Sequence, residues 1–122
     1  IEGRAQVLLG FMRDPSVGPT VTLAAGGVLA ELYRDSALRT APVDVATARE
    51  MIGEGRALAP ITGYRNLPPG DVEALARAIV AFSTLALLDG PAAVSEAEVN
   101  PLIVRAPGDG VVAVDALVVR HR

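Results

Sequence analysis

The run from Val94 to Val119 constrains this chain more than any other. Two apolar, β-branched segments flank Ala106-Pro107-Gly108-Asp109-Gly110. Proline presets one turn dihedral and glycine accepts the next, so the run predicts a hairpin. Pro-Gly fits a type II turn, whereas tight hairpins prefer the primed types, so the turn type stays open. Centring the turn between Pro107 and Gly108 sets Asn100 directly across from Asp115. A slip of two residues keeps both on one face, and a slip of one sends Asp115 to the other. Alternation adds Glu98 to the face of Asn100. The opposite face then reads Val99, Pro101, Ile103, Val112, Val114, Ala116 and Val118, which predicts a core face.

Two carboxylates and a carboxamide among apolar neighbours are costly to desolvate unless something positive sits between them. A hard divalent cation takes such oxygen ligands, and Mg2+ keeps waters and substrate phosphates in its other positions. A solvated strand with an incidental Asp fits the same pattern, because oxygen clusters are not specific.

The composition narrows the chemistry. The chain has 122 residues, 51% of them hydrophobic, which suits one domain or part of one. A net charge of -3 argues against nucleic acid as the main partner. All eleven basic residues are Arg, so no Lys is available for phosphate. Cys is absent, which excludes disulfides and thiolate metal sites. The single His is His121, at the C-terminal end. The apolar run Ala74 to Leu88 is broken by Arg77, Ser83 and Thr84 and falls short of a membrane span. No signal peptide opens the chain, so a cytoplasmic location is expected. Ile1 is not a start methionine, and the chain reads as a piece of a longer protein; Ile1-Glu2-Gly3-Arg4 also spells a protease site used in expression vectors.

In chain order, Gln6 to Arg13 reads as a strand buried on both faces, with Gly10 marking a bulge or close backbone approach. Asp14 to Pro19 is turn chemistry, and Thr20 to Ala25 completes a first hairpin. Gly26-Gly27 ends it; such a pair makes either an anion-holding loop or an ordinary turn. Val28 to Arg34 is ambiguous between helix and strand and carries Glu31. Ala37 to Ala41 is extended before Pro42. Asp44 caps a helix with Val45, Ala48, Met51 and Ile52 at helical spacing, closed by Gly53 or Gly55. Ala57 to Pro69 is a loop. The longest helix runs from Asp71 to about Leu88, burying Val72, Leu75, Ala76, Ile79, Phe82, Ser83 and Ala86. Hairpins at both ends with helices between predict an α+β fold, a largely antiparallel sheet with helices on one face.

Several strings, in order and at their spacing, carry a resemblance: Gln6 to Pro15, Gly18-Pro19, Gly26 to Glu31, Arg39 to Pro42, Pro68-Pro69 before a long helix, Glu98-Val99-Asn100-Pro101-Leu102 and Val114-Asp115-Ala116. Together they resemble the C-terminal half of the ATP-grasp domain of NDP-forming acyl-CoA synthetases. That family includes ADP-forming acetate–CoA ligase and is related to the β subunit of succinyl-CoA synthetase. The likeness covers nearly the whole chain, as a single subdomain over residues 1–122. It implies a nucleotide (ATP or ADP) held with Mg2+ between this half and an N-terminal half. It further implies phosphate transfer through a phosphohistidine on another domain, and acyl phosphate and CoA chemistry elsewhere in the protein. By the same resemblance Asn100 and Asp115 are metal ligands and Glu98 lies near the transferred phosphoryl group. Glu31 and the Gly26-Gly27 loop would face the incoming phosphohistidine.

Other uses of these residues stay in view. Glu98 also suits structural hydrogen bonding, and Glu31 a surface salt bridge. Arg13 and Arg39 suit phosphate or an ion pair with a neighbouring carboxylate. The chain departs from the family at Gln6, where Glu is usual, at Asn66, where Gly is usual, and at Ser16-Val17. Those departures leave room for a reduced activity; the resemblance also extends to ligand-sensing modules fused to protein acetyltransferases, and a plain interaction domain is a further alternative.

Overall fold

The computed structural model describes residues 3, 5–26, 36–54 and 69–120. The strands are β1 (Ala5–Asp14), β2 (Gly18–Ala25), β3 (Ala37–Thr40), β4 (Val94–Val104), β5 (Val111–Ala113) and β6 (Ala116–Arg120). Helix α1 (Val45–Glu54) and helix α2 (Val72–Ser83) lie between β3 and β4 in the chain. The strands form one six-stranded sheet ordered β3-β2-β1-β4-β5, with β6 also paired to β4. Every pairing is antiparallel, as the two terminal hairpins imply.

Local chemistry explains each element. The Asp14 carboxylate accepts the N–H groups of Ser16 (2.7 Å) and Val17 (3.1 Å) and so closes the β1–β2 turn. Asp44 caps α1 through the Thr47 N–H at 2.8 Å. Ala48, Met51 and Ile52 are its buried stripe. Asp71 caps α2, which turns into a 3-10 segment at Thr84, so the long helix is α-helical for less of its length than expected. Inside it, Ser83 accepts the Val43 N–H at 3.0 Å and donates to the Val80 carbonyl at 2.7 Å, which pins the turn after β3 to α2.

Both helices cover one face of the sheet. Leu75, Ala76 and Ile79 of α2 and Met51 and Ile52 of α1 pack with Val7, Leu9, Phe11, Val21, Leu23, Leu102 and Val104. Arg49 forks onto Glu73 (2.9 and 2.6 Å) and Arg39 forks onto Glu54, two exposed clasps that hold α1 to α2 and to β3. Each pair lowers the pKa of its carboxylate. No helix among the described residues is long and apolar enough to cross a membrane.

The expected core face of the terminal hairpin requires correction. β1 pairs Leu9 with Val99 but Val7 with Leu102, so β4 carries one extra residue at this point. A bulge of this kind changes which side chains face the core. Ala97 faces the helices before it, and Leu102 and Val104 face them after it. Ile103 is buried, but outside the cluster beneath the helices. Val114 and Val118 are more than half exposed rather than core. The predicted second strand is also two strands, β5 and β6, parted at Val114-Asp115.

Candidate functional site

β4 is the element that builds the site. Its register with β5 pairs Leu102 with Ala113, and its register with β6 pairs Val99 with Ala116. The two segments are in step, so Asn100 stands across from Asp115 as the turn geometry predicts. The Asn100 N–H donates to the Asp115 carbonyl at 3.0 Å, and the Val114 N–H donates to Pro101 at 3.1 Å. The Asn100–Pro101 peptide is cis. At the hairpin tip the Asp109 N–H donates to the Ala106 carbonyl at 2.8 Å, and Gly108 has φ 88°. With Pro107 before it, this is the type II arrangement.

Asp115 is exposed, and one of its carboxylate oxygens accepts the Ala116 N–H at 2.9 Å. Glu98 is half-buried, opposite Gly10 of β1 on one side and Leu117 of β6 on the other. It looks away from the helices into an open cleft of about 310 Å³ lined by Leu8, Gly10, Met12, Thr22, Glu96 and Leu117. Gly10 is not itself a bulge; lacking a side chain, it leaves room beside Glu98. Glu96 was not anticipated, although alternation along β4 places it two residues from Glu98. Among the described residues no Arg is within ion-pair distance of Glu96, Glu98 or Asp115.

Other expected site residues fall elsewhere. Arg13 lies on the helix side, remote in direction from Glu98. Its guanidinium donates to the carbonyls of Val94 (2.8 Å), Leu88 (2.9 Å), Leu85 (3.3 Å) and Ala86 (3.4 Å). Arg13 thereby forms a cap that ties the end of the α2 segment to the start of β4. Arg13→Ala is expected to cost about 2 kcal/mol by abandoning these carbonyls, read as a shift in the urea unfolding midpoint. Arg39 is taken by Glu54. Gly26 closes the β1–β2 ladder, its N–H donating to the Gln6 carbonyl at 2.9 Å. Gly27 and Glu31 lie outside the described residues.

Asp71 contributes more than a helix cap. One carboxylate oxygen accepts the Ala74 N–H at 3.1 Å, and the other accepts Gly108 at 3.0 Å and Gly110 at 2.9 Å. These bonds hold its carboxyl below the usual range, Ala74 first and Gly110 next, against the opposing effect of burial.

Chemically, the site presents one carboxamide and separate carboxylates on the rim of an open sheet face. No group of three or more His, Cys, Asp or Glu side chains that could cage a metal exists among the described residues. The donor set suits a hard cation that arrives with ligands of its own, as Mg2+ does on a phosphate.

Residues 1–119 match the family model of the ATP-grasp domain. The β subunit of ADP-forming acetate–CoA ligase I of Pyrococcus furiosus is 39% identical over 111 residues, 91% of this chain and 46% of the relative. A trans-feruloyl-CoA synthase from an unknown prokaryotic organism is 35% identical over 96% of this chain and 16% of its own length. The dinucleotide-forming acetyl-coenzyme A synthetase 1 of Candidatus Korarchaeum cryptofilum has been solved with coenzyme A and Mg-AMPPCP, its phosphohistidine segment pointing towards the nucleotide binding site. It superposes with a TM-score of 0.86 at 32% identity, over 99% of this chain and 55% of that one. The chain thus spans about half, or less, of the proteins it matches.

Proposed function

The chain belongs to the ATP-grasp domain family, and on that premise we propose that it is the C-terminal part of the nucleotide clamp of an NDP-forming acyl-CoA synthetase. The whole protein is then an acid–thiol ligase, and this part takes the Mg-nucleotide. The observation that carries the reading is the cross-strand adjacency of Asn100 and Asp115 beside a cleft lined by Glu96 and Glu98. The Mg-AMPPCP complex of the Korarchaeum relative supports it.

In this reading Asn100 offers a carboxamide oxygen and Asp115 a carboxylate to Mg2+ on the nucleotide phosphates. The cation, when bound, neutralises phosphate charge. Phosphoryl transfer asks the protein for position and charge balance more than for covalent chemistry. Position comes from β4, which carries Asn100, and from the backbone bonds that tie Val114 and Asp115 to it. Glu98, on the open face, stands where it can orient a cationic or donor group beside the transferred phosphoryl. The phosphohistidine, the CoA site and the other half of the clamp belong to other parts of the protein. The acidic rim repels free phosphate, so nucleotide binding should depend strongly on Mg2+.

The test is calorimetric titration of the full-length protein with ATP, with and without Mg2+. Asn100→Ala and Asp115→Ala should each weaken Mg-ATP binding by about tenfold or more, some 1.4 kcal/mol, without weakening metal-free nucleotide binding. Unaltered Mg-ATP affinity in both variants would remove the metal assignment.

A further inference from the structure

A helix cap needs one acceptor oxygen, yet the buried Asp71 carboxylate uses both of its own on different elements. It is 8% exposed. One oxygen serves the first turn of α2, and the other takes two N–H groups from the β4–β5 turn. Its backbone joins in: the Asp71 N–H donates to the Arg105 carbonyl at 2.8 Å. The turn is shaped for this. Gly108 and Gly110 both have positive φ, 88° and 80°, and both aim their N–H groups at the same oxygen. Successive N–H groups in such a turn form a concavity that binds an anion.

The consequence reaches the site through β5, whose Val111 packs against the core. This strand is three residues long, lies at the sheet edge, and has three register pairs with β4. Asp115 stands at the junction just past it. On the far side the junction is fixed by the pairing of Ala116 with Val99. On the near side it is held by the Val114 N–H bond to the Pro101 carbonyl and by β5, which runs on from the turn that Asp71 grips.

We propose that Asp71 is a positioning residue for the metal-bearing hairpin, its carboxylate bridging α2 and the Gly108–Gly110 turn so that Asp115 stands correctly beside Asn100. The proposal rests on the reading that Asn100 and Asp115 hold the cation. Because the carboxyl pKa is lowered in the folded protein, the bridge is fully present at neutral pH. It is lost only as pH falls through that lowered value.

Two measurements on the full-length protein test it. The first uses the unaltered protein and follows amide hydrogen exchange at Gly108 and Gly110, with ATP plus Mg2+ and with ATP plus chelator. Coupling between sites is reciprocal, so Mg2+ on the nucleotide should slow exchange at both amides by about five- to tenfold. Equal rates in the two conditions overturn the proposal. The second uses Asp71→Ser, which keeps a capping oxygen for α2 but is too short to reach the turn. Its half-saturating Mg2+ concentration for nucleotide binding should rise about five- to tenfold, with metal-free ATP affinity unchanged. A folded Asp71→Ser protein with the parental Mg2+ dependence overturns the bridge while leaving the metal assignment intact, provided that Asn100→Ala and Asp115→Ala are impaired. If those two bind Mg-ATP as the parent does, the metal assignment itself fails and the bridge has nothing to position.

Discussion

Leu75→Ala should lower the stability of the protein by about 2–5 kcal/mol, the span for a buried Leu truncated in a packed core. Leu75 is fully buried at the centre of the helix-side cluster, where α2 meets both α1 and the sheet. Removing its isobutyl group forfeits the transfer energy of the lost carbons and leaves a cavity. Little can collapse into that cavity, because Ile79, Met51 and Leu23 of the same cluster are themselves fully buried. The Leu75 N–H also bonds the Asp71 carbonyl at 3.0 Å, so loosening this turn of α2 works back toward the Asp71 bridge. Urea unfolding beside the parent checks the prediction: the midpoint should fall with the slope unchanged. A loss below about 1 kcal/mol would mean that the helix layer packs less firmly than its burial implies.

Much of this architecture was legible because short-range rules and burial agree. Asp44 caps its helix as its position predicts, and Asp71, read as the first residue of the long helix, is its cap. Pro107-Gly108 makes a type II turn, and that turn sets the register from Val104 back to Glu96. The adjacency of Asn100 and Asp115 follows from the register alone. What the pattern of alternation missed is the extra residue in β4. Pro101 was the available signal, since a proline inside a central strand marks a bulge. Without it, alternation assigned Ile103, Val114 and Val118 to the core, when Leu102 and Val104 face the helices. The error did not reach the backbone pair, because a bulge against β1 leaves the ladder on the other side of β4 in step.

Long-range polar contacts were illegible for another reason. Arg13 bonds carbonyls more than seventy positions away, and Asp71 bonds glycines 37 and 39 positions away. No periodicity in a single sequence carries such pairings. Carbonyl acceptors also leave no trace in residue type, so Arg13 read as a partner for phosphate or carboxylate. The apolar β6, with Leu117 61% and Val118 55% exposed, contradicts a simple inside–outside pattern in the same way.

Gly26 is where the two kinds of reading can be separated by one substitution. A glycine pair after a strand suggests a phosphate loop, but Gly26 has a packing reason to be glycine. A Cβ at this position would meet the backbone N, C and O atoms of Val7 at 2.7–2.9 Å, closer than real Cβ contacts come. Val7 is fully buried and pairs with Ala25 and with Leu102, so it cannot yield without shifting β1 against both neighbours. Overpacking against fixed atoms typically costs 1–3 kcal/mol, and backbone has less freedom to move than a side chain. Gly26→Ala should therefore cost about 3 kcal/mol. Unfolding by urea and nucleotide titration on the same variant decide the matter. A lowered midpoint, with Mg-ATP affinity retained by the protein that remains folded, makes Gly26 a residue of strand packing. Parental stability with lost affinity would instead return it to the nucleotide, and would require β1 and β2 to lie further apart at this end than the Gly26–Gln6 hydrogen bond holds them.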